Sequence, residues 1–312
     1  MTKRAVVVGI NDYTGIDASG NSNLNCCVAD ANSVVSLLSD AFAFDSSDVT
    51  LITDGAATRD GVLAALTTMI GASQAGDVAL FYYSGHGSMQ PDDPNDPNCQ
   101  RFYESMCTAT RPFLTDKDLF GIADQLQPSF TNFTVIADSC HSGGLDQETN
   151  ATALYRSFNL GGDLTQQIVN FMNTWVPAGI SIPLQEDICK NNVSNVTVTV
   201  DGHILCDEDP NQQFVDQAKM TLLGACRFWE LSWETNGHGL MTQALLDIVN
   251  SSNFQISHTD LQSTLQAKMA DSFQAILPTI QSTSYPKSQV PQLRGQSNRM
   301  SEGFLQAWTQ SK

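Results

Sequence analysis

Two short segments carry residue types able to do nucleophilic chemistry. One reads Tyr83-Ser84-Gly85-His86-Gly87, the other Asp138-Ser139-Cys140-His141-Ser142-Gly143-Gly144. A thiol attacks as its thiolate, so it needs a base within hydrogen-bond reach, and an imidazole titrating near neutrality can serve. Cys140 is therefore the candidate nucleophile and His86 its candidate base. The flanking glycines permit a tight turn and close approach of a substrate backbone. The backbone N–H groups of Gly87 and Cys140 could then receive the oxyanion of a tetrahedral intermediate. His141 follows the nucleophile directly, and neighbours on an extended chain point to opposite faces, so it is read as structural. Taken singly, a cysteine at a strand end is ordinarily a small buried hydrophobe. A lone Gly-His-Gly is ordinarily a turn. It is their occurrence at matching positions in the fold that points to catalysis.

Those positions follow from the pattern of elements. Apolar runs of strand length occur at Ala5 to Ile10, Val49 to Thr53, Val78 to Tyr83 and Phe133 to Ala137. Helical spacing separates them at Cys26 to Leu38, at Thr58 to Ser73 with Thr58 as N-cap, and at Thr115 to Leu126 with Thr115 as N-cap. Strands alternating with helices give an α/β fold with a mostly parallel central sheet and helices on both faces. Runs that are apolar throughout suit strands buried on both faces. The two motifs close the third and fourth strands, and open α/β sheets gather ligands at the carboxyl ends of their strands. Met89 to Asn98 reads as a loop. The pattern weakens from Leu145 to Gln217, with a helical stretch at Leu164 to Trp175 and a short β candidate at Val196 to Leu205. It resumes with a strand at Met220 to Ala225 and helices at Leu240 to Val249 and at His258 to Ile276, the last capped by Ser257. The tail from Pro278 reads as loop.

Composition narrows the class. The 312 residues are 41% hydrophobic and 15% charged, a globular balance, and the formal net charge of -18 disfavours nucleic acid and anionic membranes while attracting cations. No apolar run approaches the length of a membrane span, and Ala5-Val6-Val7-Val8 is too short for a signal-peptide core, so a cytoplasmic location is expected. None of the eight cysteines forms a CxxC pair, which argues against a four-thiolate zinc site. Cys99 with Cys107, or Cys189 with Cys206, could bond if oxidised, but free thiols are expected in a reducing compartment. The Asn-x-Ser/Thr sequences at Asn132, Asn150, Asn192 and Asn195 read as chance matches.

The pair Tyr-Ser-Gly-His-Gly and Asp-Ser-Cys-His-Ser-Gly-Gly, in this order, resembles the signature of the metacaspase and orthocaspase branch of the caspase-like cysteine peptidases. The resemblance runs from Lys3 to about Asp146. It resumes from Met220 to Ile248, where Leu222-Leu223-Gly224-Ala225-Cys226-Arg227 and Glu230-Leu231-Ser232-Trp233-Glu234 resemble the small-subunit strand. The Gln-Ala-Cys-x-Gly of true caspases is absent. The resemblance implies a caspase-like three-layer sandwich. Residues 1–146 would form a large-subunit-like part with the dyad, 147–217 an insertion or linker, and 218–312 a small-subunit-like part completing the same domain. It implies a dyad of Cys140 and His86 and an acidic specificity pocket built from Asp138, from Asp30 in Cys27-Val28-Ala29-Asp30-Ala31, and from Ser84. On spacing alone Asp30 is an ordinary polar position of the first helix. Two converging carboxylates favour a guanidinium, so the expected substrates are proteins or peptides cut after Arg, then Lys.

Relatives in that branch often need calcium, held by clustered acids after the third strand. Here the matching stretch reads Arg101-Phe102-Tyr103-Glu104 and Asp116-Lys117-Asp118. Cations among the ligands disfavour a dication that needs about six to eight oxygens, so no metal and no organic cofactor are expected. Arg156 and Lys190 are the basic residues between Cys140 and Lys219, hence the candidate self-cleavage positions; an uncleaved insertion is the alternative. A monomer is expected. The competing functions are another peptidase of the clan, legumain-like or separase-like, and a catalytically silent caspase-like scaffold or regulatory binding protein.

Overall fold

The structure, a computed structural model, describes residues 1–91, 102–126, 131–140, 154–155, 199–200, 203–204, 219–227, 230–235, 237–249, 254–280 and 288–307. The strands are β1 (Lys3–Gly9), β2 (Val49–Thr53), β3 (Val78–Ser84), β4 (Gly87–Pro91), β5 (Phe102–Met106), β6 (Leu114–Thr115), β7 (Asn132–Asp138), β8 (Leu154–Tyr155), β9 (Thr199–Val200), β10 (His203–Ile204), β11 (Thr221–Gly224), β12 (Trp233–Thr235), β13 (His238–Gly239) and β14 (Gln292–Gly295). The helices are α1 (Cys27–Phe42), α2 (Arg59–Ala72), α3 (Asp116–Asp124), α4 (Leu240–Ile248), α5 (His258–Ile276) and α6 (Ser297–Met300).

A six-stranded sheet in the order β14-β11-β7-β3-β1-β2 forms the middle layer. All of its pairings are parallel except β11 with β14. Side chains alternate across a strand, and the two faces of β1 show it. Ala5 and Val7 pack with Val34 and Leu38 of α1, Leu245 of α4 and Leu265 of α5. Val6 and Val8 pack on the opposite side with Val62 and Leu66 of α2 and Leu119 and Ile122 of α3. Each face is thus covered by helices, and β3 and β7 are buried along their whole length. This is the three-layer arrangement expected from uninterrupted apolar runs.

Helix ends follow local chemistry. The Thr58 side chain accepts the N–H of Gly61, Thr115 and Asp118 form a reciprocal capping box, and Ser257 accepts from Asp260, all three where the sequence places a cap. At α1 the cap comes from elsewhere: the Asn11 side chain, just beyond β1, accepts the N–H groups of Cys27 (2.8 Å) and Val28 (3.3 Å).

Two expectations need correction. The segment after the third strand is not simply a loop: it begins as β4, which joins β5 and β6 in an antiparallel sheet. The tail is not simply loop either, because β14 closes the edge of the main sheet beside β11. Strands of four or five residues carry too little periodicity to separate from loop. The helical stretch read at Leu164 to Trp175 lies outside the described residues, whereas the β candidate at Val196 to Leu205 contains the β9–β10 hairpin.

His258 ties the tail to the sheet. Its ring bonds Thr134 Oγ1 of β7 through Nε2 (2.9 Å) and the Glu302 carbonyl through Nδ1 (3.0 Å). Burial lowers its pKa from 6.5 to about 4, so the folded protein holds it neutral. An unfolded histidine gains its proton first, so stability is complete above pH ~6.5 and is lost as pH falls from there toward ~4. At pH 5 this linkage costs roughly 2 kcal/mol relative to pH 8. Urea melts of wild type and His258→Gln across that range should converge by about that amount as pH falls; parallel curves would remove the assignment.

Candidate active site

The register between β3 and β7 builds the site. Ser84 lies opposite Asp138 in parallel pairing, and the ladder extends one step further through the Gly85 N–H to the Asp138 carbonyl (3.4 Å). His86 is the second residue beyond Ser84 and Cys140 the second beyond Asp138. The two motifs therefore leave the sheet side by side. Their contact is tight at Gly87, where a Cβ would stand 1.3 Å from the Cys140 carbonyl oxygen and 2.5 Å from its carbon. Only glycine fits there. Cys140, His86, Asp30, Ser84 and Asp138 are each buried to 0% exposure.

Tyrosine hydroxyls hold His86 by its backbone. The His86 N–H donates to the Tyr13 hydroxyl (2.8 Å), and the Tyr83 hydroxyl donates toward the carbonyls of His86 (2.7 Å) and Cys107 (2.9 Å). The two hydroxyls are 3.3 Å apart, so one hydrogen-bond direction runs from the His86 N–H through Tyr13 and Tyr83 back to the His86 carbonyl. Burial pushes both phenols well above the usual tyrosine range, which keeps the hydrogens this chain needs. The Tyr13 ring also packs on the imidazole, 4.6 Å between centroids.

The imidazole itself is oriented by a loop. Its Nε2 lies 2.6 Å from the Ser22 carbonyl oxygen. A carbonyl only accepts, so Nε2 carries the hydrogen and Nδ1 keeps its lone pair, the tautomer a base needs. Asp17 folds this loop by accepting from Ser19 and from both the N–H and the hydroxyl of Ser22. Those bonds, the Ser19 hydroxyl first, hold the Asp17 carboxyl down to about 2.

Cys140 Sγ accepts the Ser232 N–H at 2.8 Å and lies 3.6 Å from the Ser232 carbonyl. Apolar side chains from Leu231, Trp233, Leu240 and Phe273 pack around the residue.

Asp30 and Asp138 both bond the start of α4. Asp30 is no ordinary helix-surface residue: it is fully buried and accepts from Ser84 Oγ (2.8 Å), His238 Nδ1 (2.8 Å) and the Gly239 N–H (3.2 Å). Asp138 accepts from Ser232 Oγ (2.8 Å), Thr242 Oγ1 (2.6 Å) and the Thr242 N–H (3.0 Å). Gly239 is the N-cap of α4 and Thr242 lies in its first turn. Both carboxylates thus sit at one helix N-terminus, whose unpaired N–H groups and dipole stabilise negative charge. Glu234, 2% exposed, adds a third carboxylate nearby by accepting the Asn25 N–H at 2.9 Å beside α1.

Ser22, Tyr13, Thr242, His238 and Ser232 escape sequence reasoning as site residues. Ser22 acts through a carbonyl, which every residue has, and the others lie far along the chain from the residues they touch. His141, Arg156, Lys190 and Arg101 lie outside the described residues. In the acid-bearing first turn of α3, Asp118 is already bound bidentately by Arg59 (2.6 and 3.1 Å) and capped onto Thr115, so it does not offer a free carboxylate for calcium. Among the described residues no group of three or more His, Cys, Asp or Glu side chains could hold a metal ion. Cys26, Cys27, Cys107, Cys140 and Cys226 are thiols, not disulfide-bonded.

Gly87→Ala should lower unfolding stability by on the order of 3 kcal/mol or prevent folding, because the displaced neighbour is backbone. Gly121→Ala on α3, where a Cβ would meet nothing within 4 Å, should instead gain about 0.5–1 kcal/mol. Denaturant melts of the two variants would show opposite signs, and equal effects would contradict the contact at Gly87.

Comparison with known proteins agrees with this architecture. The caspase-domain model of the peptidase C14 family matches residues 2–300. Metacaspase-4 of Arabidopsis thaliana is 33% identical over 153 residues, covering 47% of this chain and 35% of that protein. Metacaspase-1 of Cryptococcus neoformans is 33% identical over 150 residues, covering 45% and 32%. The chain thus spans about a third of the length of these curated relatives. The crystal structure of protein GSU0716 from Geobacter sulfurreducens superposes with a TM-score of 0.62 at 18% identity, covering 99% of this chain and 100% of that one, a likeness of fold alone. With the family match extending over nearly the whole sequence, this chain belongs to the caspase-domain family of cysteine peptidases.

Proposed function

We propose that this protein is a cysteine endopeptidase that hydrolyses peptide bonds after arginine, and less readily lysine, through a Cys140/His86 dyad. The observation carrying the proposal is the meeting of the two motifs at Gly87 with two buried carboxylates directly behind them. Cys140 Sγ, now bonded to the Ser232 backbone, turns toward the imidazole when substrate binds, and His86 Nδ1 takes its proton. Catalytic hydrogen bonds are often loose without substrate and tighten in the complex. The thiolate adds to the carbonyl carbon, and the oxyanion is received by the Gly87 and Cys140 N–H groups. His86 then gives its proton to the leaving amine as the C–N bond breaks and a thioester remains. Water, deprotonated by His86, releases the acid and regenerates the thiol.

Asp30, Asp138 and Ser84 form the specificity slot in this reading. A guanidinium can satisfy two carboxylates through its planar fork, while an acidic side chain would be repelled. The net charge of -18 fits cationic substrates and a partner set without nucleic acid or membrane. Among the described residues no helix is long and apolar enough to cross a membrane. The reading places the enzyme in the cytoplasm as a monomer that needs no calcium. Full burial of Cys140 favours one rival, a catalytically silent caspase-like scaffold.

A fluorogenic peptide ending in Arg should be cleaved, its Asp counterpart should not, and Cys140→Ala should lose at least about 1000-fold in kcat/KM. Activity should be unchanged between chelator and millimolar calcium. Cleavage of neither peptide would favour the scaffold, and strict calcium dependence would overturn the metal-free reading. If the chain cuts itself, intact-mass spectra of wild type will show termini at Arg156 or Lys190 that Cys140→Ala lacks.

A further inference from the structure

Asp30 reaches solvent through one of its described partners. Ser84 is fully buried, Gly239 is buried, and Asp30 itself is at 0% exposure, whereas the His238 side chain is 22% exposed. The His238 Nδ1 donates to Asp30 Oδ1 at 2.8 Å, the kind of N–H that an incoming cationic side chain would supply. The imidazole therefore stands where a ligand approaching from solvent would meet this carboxylate. His238 lies between Gly237, at φ 93°, and Gly239, on a two-residue strand that pairs with the end of β12. Among the described residues the charged groups on the elements next to it are Asp30 from α1, Glu234 from β12 and, across the first turn of α4, Asp138.

We propose that His238 is a substrate-gating residue that occupies the cation position at Asp30 and must be displaced by the substrate side chain. The inference rests on the assignment of Asp30 to the specificity slot and deepens it. Displacement breaks the Nδ1–H···O bond to a buried carboxylate, a cost common to arginine and lysine substrates. An ammonium returns one point-like donor, whereas a guanidinium returns a fork of two. The resident imidazole thus raises the threshold for entry of both cations by the same factor, while the preference between them is set by the fork itself.

The test compares wild type, His238→Ala and His238→Asn with matched Arg and Lys peptides. In His238→Ala, KM should fall about tenfold for the Lys and the Arg peptide alike, about 1.4 kcal/mol, with kcat within about twofold. The Arg-to-Lys ratio of kcat/KM should stay as in wild type. His238→Asn keeps a donor near the Nδ1 position and should stay close to wild type. An independent reading comes from the intact site of Cys140→Ala: agmatine, a guanidinium probe, should shift the His238 ring resonance with saturation. An unchanged or raised KM for either peptide in His238→Ala, or a ring resonance indifferent to agmatine, would overturn the proposal. If wild type still cleaves after Arg in any of those cases, the peptidase assignment stands and only the role of His238 falls. If wild type cleaves neither peptide, both fall.

Discussion

The parallel pairing of β3 with β7, with Ser84 opposite Asp138, is the constraint on which the site depends. Because side chains alternate along a strand, a slip of one residue would turn one motif to the other face of the sheet. The register is held by burial. Phe81 and Tyr83 on β3 share a core with Val135 and Ala137 on β7, while Leu80, Tyr82 and Ile136 belong to the core on the other face. Neither strand can shift without exposing one of these sets. The reactive residues then need no further search, since they follow the last paired residues by the same number of steps.

From that point the chain manages charge and direction. Asp30, Asp138 and Glu234 are buried carboxylates, costly without compensation. For Asp30 and Asp138 the compensation comes largely from residues after 230, the N-terminus of α4 with Ser232, His238 and Thr242, joined by the Ser84 hydroxyl on Asp30, while Glu234 accepts the Asn25 N–H. The portion of the chain beyond β11 therefore supplies what the earlier acids require. Strands from both portions lie in one sheet, so the surroundings of Asp30 and Asp138 form together with the sheet. His86 is fixed in another way, through its backbone by Tyr13 and Tyr83 and through its ring by Ser22, which leaves the ring nitrogen needed for proton transfer with its lone pair.

The sequence disclosed what depends on local periodicity and on short motifs. The buried strands β1, β3 and β7 read as continuous apolar runs, and α2, α3 and α5 began where a cap residue preceded helical spacing. Cys140 and His86 stood out because their types and glycine neighbours are unusual at strand ends. Asp30 did not, since a helix position every few residues is polar and its burial comes from α4, encoded some two hundred residues later. The edge strand β14 and the small β4–β5–β6 sheet were invisible for a related reason. Their pairing partners are distant or short, and strand propensity over so few residues is outweighed by context. The tautomer of His86 depends on a backbone carbonyl, about which side-chain identity is silent.

The central claim is that folding sets the His86 imidazole against the Cys140 thiol. Iodoacetamide labelling of Cys140, followed by peptide mapping as a function of pH in wild type and His86→Ala, tests it directly. The account predicts that Cys140 labels faster near neutral pH in wild type than in His86→Ala, where the base that takes its proton is gone. Identical pH profiles for the two proteins would contradict it.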